Sequence, residues 1–260
     1  MKQIWCVDKP GLLLQSMKDD LTPAQHPYAR KDEEWKGKKT DSLLEIVKEV
    51  KPHILIGTST KPKSFTEDIV KEMAKNTDRP IIFPLSNPTK LHEADPADLF
   101  KWTEGKCLMA TGSPFDPVEY KGTKYVVAEC NNSTTFPGIG LGAVLSRVKL
   151  MSPPLLVAAT KALAAQAPAL KDPNDGLLPD VINVRDISVK IAAAVIKKAK
   201  EEKLTQQEGI PDKDEELEKW IRAQMWDAEY RTLKKVEHHQ ATREAKGEAG
   251  PKGKKSKTQN

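Results

Sequence analysis

This sequence contains no apolar run close to the ~20 residues that a membrane-spanning helix requires. Lysines interrupt or bound the two longest candidates, which are residues 155–165 and 191–196. A secretory leader is not predicted after Met1, because the only apolar cluster there ends at Asp8. These absences argue against a membrane-embedded or secreted protein and predict a soluble intracellular one.

Cysteine, histidine and glycine motifs are equally scarce. The three cysteines, at positions 6, 107 and 130, have neither metal-ligand spacing nor the pattern of a disulfide framework. The five histidines form no metal motif, and no GxSxG or Cys/His catalytic arrangement occurs. A GxGxxG phosphate loop is also missing. The run Gly138-Ile139-Gly140-Leu141-Gly142 is a weak substitute, because no clear strand and turn precede it.

Positive charge is concentrated at one end of the chain. The formal net charge is +5, and residues 237–260 carry six basic side chains against three acidic ones. The rest of the chain is therefore nearly neutral, which argues against nucleic-acid binding. Residues 237–260 are predicted to be a disordered basic tail.

Short apolar runs alternate with helical patterns in the first part of the chain. The predicted strands are residues 3–7, 53–57, 80–85, 107–111 and 124–128. The helices predicted between them are residues 41–50, 64–75 (opened by a Ser-x-x-Glu capping box) and 95–102 (opened by Asp95-Pro96). This alternation predicts an α/β fold with a Rossmann-like, doubly wound parallel sheet that is covered on both faces.

The second part of the chain has helical patterns without strands between them. These patterns cover residues 138–148, 153–166, 183–201 and 214–235. The sequence therefore predicts three parts: a dinucleotide-binding domain (1–150), a helical portion (151–236) and the basic tail (237–260).

Polar side chains follow three of the predicted strands, where an open parallel sheet binds its ligands. Asp8 ends the first strand, and a carboxylate there can accept hydrogen bonds from both hydroxyls of a ribose. Asn87 follows the third strand, and Asn131 and Asn132 precede a predicted helix. Amides suit a carboxamide or carboxylate ligand. Taken alone, Asp8 and Asn87 are more often ordinary turn residues, and asparagines such as Asn131 and Asn132 are also common in loops.

Several longer blocks resemble malic enzymes, in the same order along the chain. The blocks are IWCVD at 4–8, ILIGT at 54–58, RPIIFPLSNPT at 79–89, TEGKCLMATGSPFDPV at 103–118, CNNSTTFPGIGLG at 130–142 and MWDAEYR at 225–231. AECNN and WDAEYR are most similar to the NAD-dependent members of bacteria and fungi. The resemblance implies oxidative decarboxylation of L-malate to pyruvate and carbon dioxide, with reduction of NAD and with Mg²⁺ or Mn²⁺ as cofactor.

The resemblance assigns the cofactor residues position by position. Asp8 matches the acid that binds the cofactor ribose, and Gly57, Thr58 and Ser59 match a segment that lines the dinucleotide. NADP-dependent members tend to have a lysine where this chain has Gln25. A neutral side chain there offers no charge to a 2′-phosphate, so NAD is the expected cofactor.

The substrate side is assigned in the same way. Asn87 matches an asparagine near both the nicotinamide and the substrate. Asn131 and Asn132 match a substrate-side pair, in which Asn132 contacts the malate carboxylate. L-malate and NAD are thus the expected ligands, and neither a nucleic acid nor a membrane is an expected partner.

The same resemblance places the catalytic groups of malic enzymes before this region. The tyrosine, lysine, substrate arginine, three carboxylate metal ligands, first Rossmann strand and phosphate loop find no counterpart here. No catalytic residue or metal ligand is therefore assigned, the predicted sheet is partial, and the chain alone is expected to be inactive.

The intact enzyme is expected to be a homo-oligomer of the mitochondrial matrix or cytoplasm. The alternative is a non-catalytic interaction module that binds a full-length malic enzyme subunit.

Overall fold

The computed structural model describes residues 3–230, 232–233 and 235. The described residues up to Ala223 form one compact unit, and those from Gln224 onward belong to a second. The predicted basic tail, residues 237–260, lies outside the described residues. Within the described part, no helix is long and apolar enough to cross a membrane. The division into parts 1–150, 151–236 and 237–260 stays a prediction.

Strands and helices alternate in the first half, and the elements described in the second half are all helices. The strands of the described chain are β1 (Val7–Asp8), β2 (Gly11–Leu12), β3 (Ile54–Gly57), β4 (Ile81–Pro84), β5 (Leu108–Thr111), β6 (Val118–Tyr120), β7 (Thr123–Tyr125) and β8 (Ala128–Glu129). The α-helices are α1 (Leu43–Val50), α2 (Glu67–Asn76), α3 (Pro96–Trp102), α4 (Asn132–Ser146), α5 (Pro153–Ala164), α6 (Val184–Glu201) and α7 (Asp214–Gln224).

A four-stranded sheet in the order β3-β4-β5-β8 forms the centre of the first half. All its neighbouring strands are parallel. Helices α2 and α3 connect successive strands, so the prediction of an α/β fold with a partial Rossmann-like sheet is confirmed. Because the strands are parallel, the loops after all four lie at the same edge of the sheet.

The predicted first strand does not join this sheet. Within residues 3–7 only Val7 is in a strand, and β1 pairs antiparallel with β2 in a small hairpin. Gly11 makes the return possible, because its φ of +102° suits glycine. The prediction that residues 3–7 form a strand of the parallel sheet was wrong, because a short apolar run does not specify which other strand it will pair with. The predicted strand 124–128 is similarly divided between β7, which pairs with β6, and β8.

One of two predicted helix starts is correct, and the other is displaced by a contact with a distant residue. Asp95 caps α3 as predicted, since its side chain accepts a hydrogen bond from the Ala97 amide at 2.8 Å. The predicted capping box at Ser64 is wrong, because α2 begins after Thr66 and the buried Ser64 hydroxyl has no partner in the described chain. The Phe65 amide instead donates to the Glu93 carbonyl at 3.0 Å, which holds this segment extended until the helix begins.

One face of the sheet is covered and part of the other is open. The covered face packs on α2 and α3 through an apolar cluster that includes Ile82 and Met109, and Leu55 contacts this cluster. On the opposite face of β3, Ile54 is 52% exposed and Ile56 is 57% exposed. The prediction that both faces are covered is therefore wrong for β3. Parallel strands are normally buried on both faces, so this apolar surface is unusual.

The glycine run in the second half is part of a helix and does not form a phosphate loop. Helix α4 begins at Asn132, six residues before its predicted start at 138, and packs closely along α6. A Cβ atom on Gly138 would lie 2.6 Å from the Ile191 Cβ atom, and one on Gly142 would lie 2.8 Å from the Val195 Cβ atom. These two glycines therefore allow the helix backbones to approach.

Helix α7 is shorter than predicted. It ends at Gln224, whereas the pattern predicted a helix to residue 235. Beyond it, Trp226 is 72% exposed and Tyr230 is fully exposed. A helix of this length is stabilised mainly by burial of an apolar face, and these side chains bury little of their surface.

The close packing of α4 on α6 predicts opposite effects of the same substitution at two glycines. Gly138→Ala should destabilise the protein by about 1–3 kcal/mol, because its methyl group overlaps Ile191. Gly140→Ala should be neutral or stabilising by up to about 1 kcal/mol, because no atom lies within 4 Å of its Cβ position. Urea unfolding monitored by circular dichroism measures both. Equal unfolding midpoints for the two variants would contradict this packing.

Candidate functional site

The carboxyl edge of the four-stranded sheet collects most of the predicted site residues. Thr58 and Ser59 follow β3, Asn87 follows β4, and Asn131 follows β8. Gly57 is the last residue of β3 and is buried. The parallel topology therefore brings together segments that are more than 70 residues apart in the sequence.

The backbone carbonyl of Gly112, just after β5, joins two of the predicted asparagines. The Asn87 Nδ2 atom donates to this carbonyl at 2.9 Å, and the Asn131 Nδ2 atom donates to it at 3.3 Å. Gly112 has no room for a side chain, because a Cβ atom would overlap the Leu85 carbonyl. The two amides are thus held on one acceptor between β4 and α4.

Asn131 and Asn132 have different surroundings. The Asn131 Oδ1 atom accepts a hydrogen bond from the Ser133 amide at 3.0 Å, which makes Asn131 the N-cap of α4. Asn132 is the first residue of the helix and is exposed. The amino terminus of an α-helix carries a partial positive charge and unpaired amides, which favour an anion such as a carboxylate.

Asp8 and Gln25 contact each other in the hairpin region. The Gln25 Nε2 atom donates to the Asp8 Oδ2 atom at 2.8 Å. The Gln25 Oε1 atom in turn accepts from the Thr22 amide at 2.9 Å, so the orientation of the glutamine amide is fixed. Asp8 itself is exposed and retains acceptor capacity. The described structure does not connect this pair to the carboxyl edge of the sheet by any hydrogen bond.

A buried carboxylate that the sequence analysis missed lies beneath the carboxyl edge. Glu93 is fully buried. Its Oε1 atom accepts from the amide and the hydroxyl of Ser59, both at 2.9 Å, and from the hydroxyl of Ser86. No local pattern distinguishes Glu93 from its neighbours. Only the distant serines, 34 and 7 residues away, identify it.

The Glu93 carboxyl is stabilised in its ionised form. Burial alone raises the pKa of this carboxyl. Hydrogen bonds from Ser86 and Ser59 lower it by a larger amount, so the net shift of the pKa is downward. A carboxyl whose pKa is lower in the folded than in the unfolded state stabilises the fold at neutral pH. This contribution is lost as the pH falls through the folded-state pKa.

A histidine anchors the loop after β5 to the loop after β4. The His92 Nε2 atom lies 3.0 Å from the Ser113 hydroxyl, which is 3.1 Å from the Thr89 hydroxyl. The His92 ring also contacts Phe115. Burial lowers the pKa of His92, which favours the neutral form of the ring. Because Ser113 directly follows Gly112 in the chain, this contact also holds the part of the loop whose carbonyl joins the two asparagines.

The described residues do not provide a metal site. In that part of the chain, no group of three or more His, Cys, Asp or Glu side chains is placed to hold a metal ion. The Mg²⁺ or Mn²⁺ ion that the resemblance implies therefore has no fitting ligand set among these residues. The carboxylates of Asp8 and Glu93 are bonded to Gln25 and to the two serines instead.

Comparisons with known proteins give the family. Residues 1–200 match the family model described as "Malic enzyme, NAD binding domain". The mitochondrial NAD-dependent malic enzyme of Saccharomyces cerevisiae is 47% identical over 252 residues, which cover 91% of this chain and 37% of that protein. The NAD-dependent malic enzyme 3 of Bacillus subtilis is 41% identical over 241 residues, covering 90% of this chain and 41% of that protein.

One relative has a different name. The malolactic enzyme of Lactococcus lactis is 42% identical over 231 residues, covering 88% of this chain and 41% of that protein. The chain thus spans about two fifths of the length of the curated relatives that it matches.

The fold is also that of malic enzymes. The crystal structure of the malic enzyme from Entamoeba histolytica matches 85% of this chain with a TM-score of 0.66 and 22% identity, over 41% of that structure's length. The enzyme from Pyrococcus horikoshii matches 83% of this chain with a TM-score of 0.62 and 23% identity, over 44% of its length. With the family model covering 200 of 260 residues, this chain belongs to the malic enzyme NAD-binding domain family.

Proposed function

We propose that this chain is the cofactor-binding and substrate-positioning part of an NAD-dependent malic enzyme, which oxidatively decarboxylates L-malate to pyruvate and carbon dioxide. The main support is the pair of amides, Asn87 and Asn131, that meet on the Gly112 carbonyl. They lie at the carboxyl edge of the sheet and beside the amino terminus of α4. An amide and a helix terminus together suit a carboxamide and a carboxylate, the groups that nicotinamide and malate present.

The described residues fit part of a dinucleotide. NAD, when bound, supplies the acceptor for the hydride from C2 of malate. Asp8 accepts hydrogen bonds from a cofactor ribose, and Gln25 holds the Asp8 carboxylate in place. Gly57, Thr58 and Ser59 line the cofactor on the sheet side.

The asparagines orient the nicotinamide and the substrate. One Asn87 N–H is occupied by Gly112, and its Oδ1 atom, which has no partner in the described chain, is available to the nicotinamide carboxamide. Asn131 caps α4 and fixes the helix terminus. Asn132 donates from the exposed first turn to a malate carboxylate. These contacts position the C2 hydrogen of malate but do not remove its hydroxyl proton.

Gln25 also supports NAD as the cofactor in preference to NADP. Its amide is neutral and is held between the Asp8 carboxylate and the Thr22 amide. A 2′-phosphate would lie close to the Asp8 carboxylate and would gain no compensating positive charge from Gln25. Repulsion therefore disfavours NADP.

Turnover requires groups beyond the described residues. The proposed reaction needs a base for the C2 hydroxyl, an acid and a divalent metal, and the described residues supply no metal site. We assign these groups to the part of malic enzymes that this chain does not cover. In the intact enzyme we place the activity in a homo-oligomer of the mitochondrial matrix or cytoplasm.

A second candidate function is an interaction module that binds a full-length malic enzyme subunit. The open face of β3, with Ile54 and Ile56 more than half exposed, supports this alternative. In the described chain β3 also pairs with β4 alone, which leaves its other edge available for a further strand. The same surface would be covered by preceding Rossmann elements in the primary proposal.

The proposed function predicts that the purified chain does not oxidise malate. Incubation with L-malate, NAD and Mn²⁺ should give no increase in absorbance at 340 nm above a protein-free control. NAD should bind more weakly than micromolar, as measured by calorimetry. Turnover that is lost in Asn132→Ala would contradict the claim that further groups are required.

The two neighbouring asparagines should differ in their effect on stability. Asn131→Ala should destabilise the protein by about 0.5–2 kcal/mol, because it removes the N-cap of α4. Asn132→Ala should change stability by less than about 0.5 kcal/mol, because its side chain is exposed. Urea unfolding distinguishes the two. A larger loss in Asn132→Ala would contradict a role in ligand binding alone.

Adjacent residues of β3 test whether its outer face is open. Ile56→Lys should change stability by less than about 0.5 kcal/mol and reduce aggregation, because Ile56 is 57% exposed. Leu55→Lys should destabilise by more than about 2 kcal/mol, because Leu55 packs against the buried residues of α1 and α2. Thermal unfolding and light scattering measure both effects. Equal destabilisation would show that the Ile56 face is covered.

A further inference from the structure

Glu93 is placed to control the spacing between the two loops that the proposed function assigns to the dinucleotide and the nicotinamide. Its Oε1 atom accepts three hydrogen bonds, two from Ser59 after β3 and one from Ser86 after β4. Its Oε2 atom lies 3.4 Å from the Ser86 amide. One side chain therefore bridges the carboxyl ends of two adjacent strands.

The bridge extends into the backbone on both sides. The Ser86 hydroxyl, which donates to Glu93, accepts from the Thr60 amide at 2.8 Å. Gly57 contacts the Glu93 side chain so closely that a Cβ atom on Gly57 would lie 2.5 Å from the Glu93 Cδ atom. The Glu93 carboxylate therefore fits in this position only because residue 57 is a glycine.

A neutral amide could not reproduce these contacts. The hydrogen-bond partners of Glu93 are all neutral hydroxyls and amides that donate to it. A glutamine with its oxygen at the Oε1 position would turn its NH2 group toward the Ser86 amide, so two donors would face each other. The buried position raises the cost of that mismatch, because water cannot satisfy the unpaired groups.

We propose that Glu93 is a positioning residue of the cofactor site: it fixes Ser59 and Ser86, and thereby sets Asn87 in register with the segment Gly57 to Ser59. This inference rests on the proposed function, since that function assigns these loops to NAD. Glu93 touches neither ligand and acts through the two serines. Asp8 lies in the separate hairpin of β1 and β2, and no described hydrogen bond links it to Glu93, so contacts at the adenosine end do not depend on this bridge.

The test compares Glu93→Gln with Glu119→Gln, an exposed glutamate of β6, in the full chain. Saturation-transfer NMR with millimolar NAD measures contacts to the nicotinamide and adenine protons separately and detects weak binding. Amide hydrogen exchange measures protection at Ser59, Thr60 and Ser86. Glu93→Gln should reduce this protection at least tenfold and should at least halve the ratio of nicotinamide to adenine signal. Glu119→Gln should leave both unchanged.

The possible outcomes separate this inference from the proposed function. Unchanged protection, or a parallel loss of both NAD signals, would overturn the positioning role, because general destabilisation does not alter the ratio. If the unmodified chain gives no NAD signal, the proposed function fails for this chain and Glu93 has no cofactor to position. If Glu93→Gln does not fold, Ser86→Ala removes the shared hydroxyl while keeping the charge, and the same two readouts decide.

Discussion

The bridge from Glu93 to Ser59 and Ser86 is the interaction on which the candidate site depends. Parallel strands bring their carboxyl ends to one edge of a sheet, but the loops beyond those ends are not set by the strand register. In this chain a buried carboxylate joins the first two loops. The Gly112 carbonyl then joins Asn87 to Asn131 at the start of α4. The carboxyl edge is thus connected across the sheet by two sets of hydrogen bonds, which the Ser86–Asn87 peptide bond joins, whereas Asp8 and Gln25 lie outside this connection.

The unequal faces of the sheet agree with the proposal that this arrangement is one part of a larger site. Helices α1, α2 and α3 cover the side of Leu55 and Ile82, whereas Ile54 and Ile56 are exposed on the other side. In the described chain, the hairpin that contains Asp8 pairs with no strand of the four-stranded sheet. The proposed function accounts for both observations by assigning the missing elements to the remaining three fifths of a malic enzyme.

The sequence predicted those features that depend on neighbouring residues. Asp95 caps α3 as predicted, because an aspartate directly before a proline is a local signal for a helix start. The sequence also predicted that Asn87 and Asn131 lie at the same edge of the sheet, because parallel topology brings the carboxyl ends of all strands to one edge. The ligand roles proposed for these residues come from the resemblance to malic enzymes, because spacing alone left both ligand contacts and ordinary turns open.

The remaining features depend on contacts between distant segments. The partner of β1, the late start of α2 after Ser64, and the exposure of Ile56 are each decided by another part of the chain. The burial and the bridging role of Glu93 were not predicted, because a carboxylate in a loop usually faces water. The glycine run at 138–142 was also ambiguous in sequence, since glycines serve close helix packing as well as phosphate loops.

The most direct measurement is the activity of this chain joined to the portion of the Saccharomyces cerevisiae relative that it does not cover. The account predicts malate-dependent reduction of NAD by the folded hybrid, with a much lower rate in Asn132→Ala and little activity with NADP. A folded hybrid that binds NAD at its carboxyl edge but turns over equally well after Asn132→Ala would contradict the proposed substrate contact. A folded hybrid that binds neither NAD nor malate would contradict the assignment of this edge as the site.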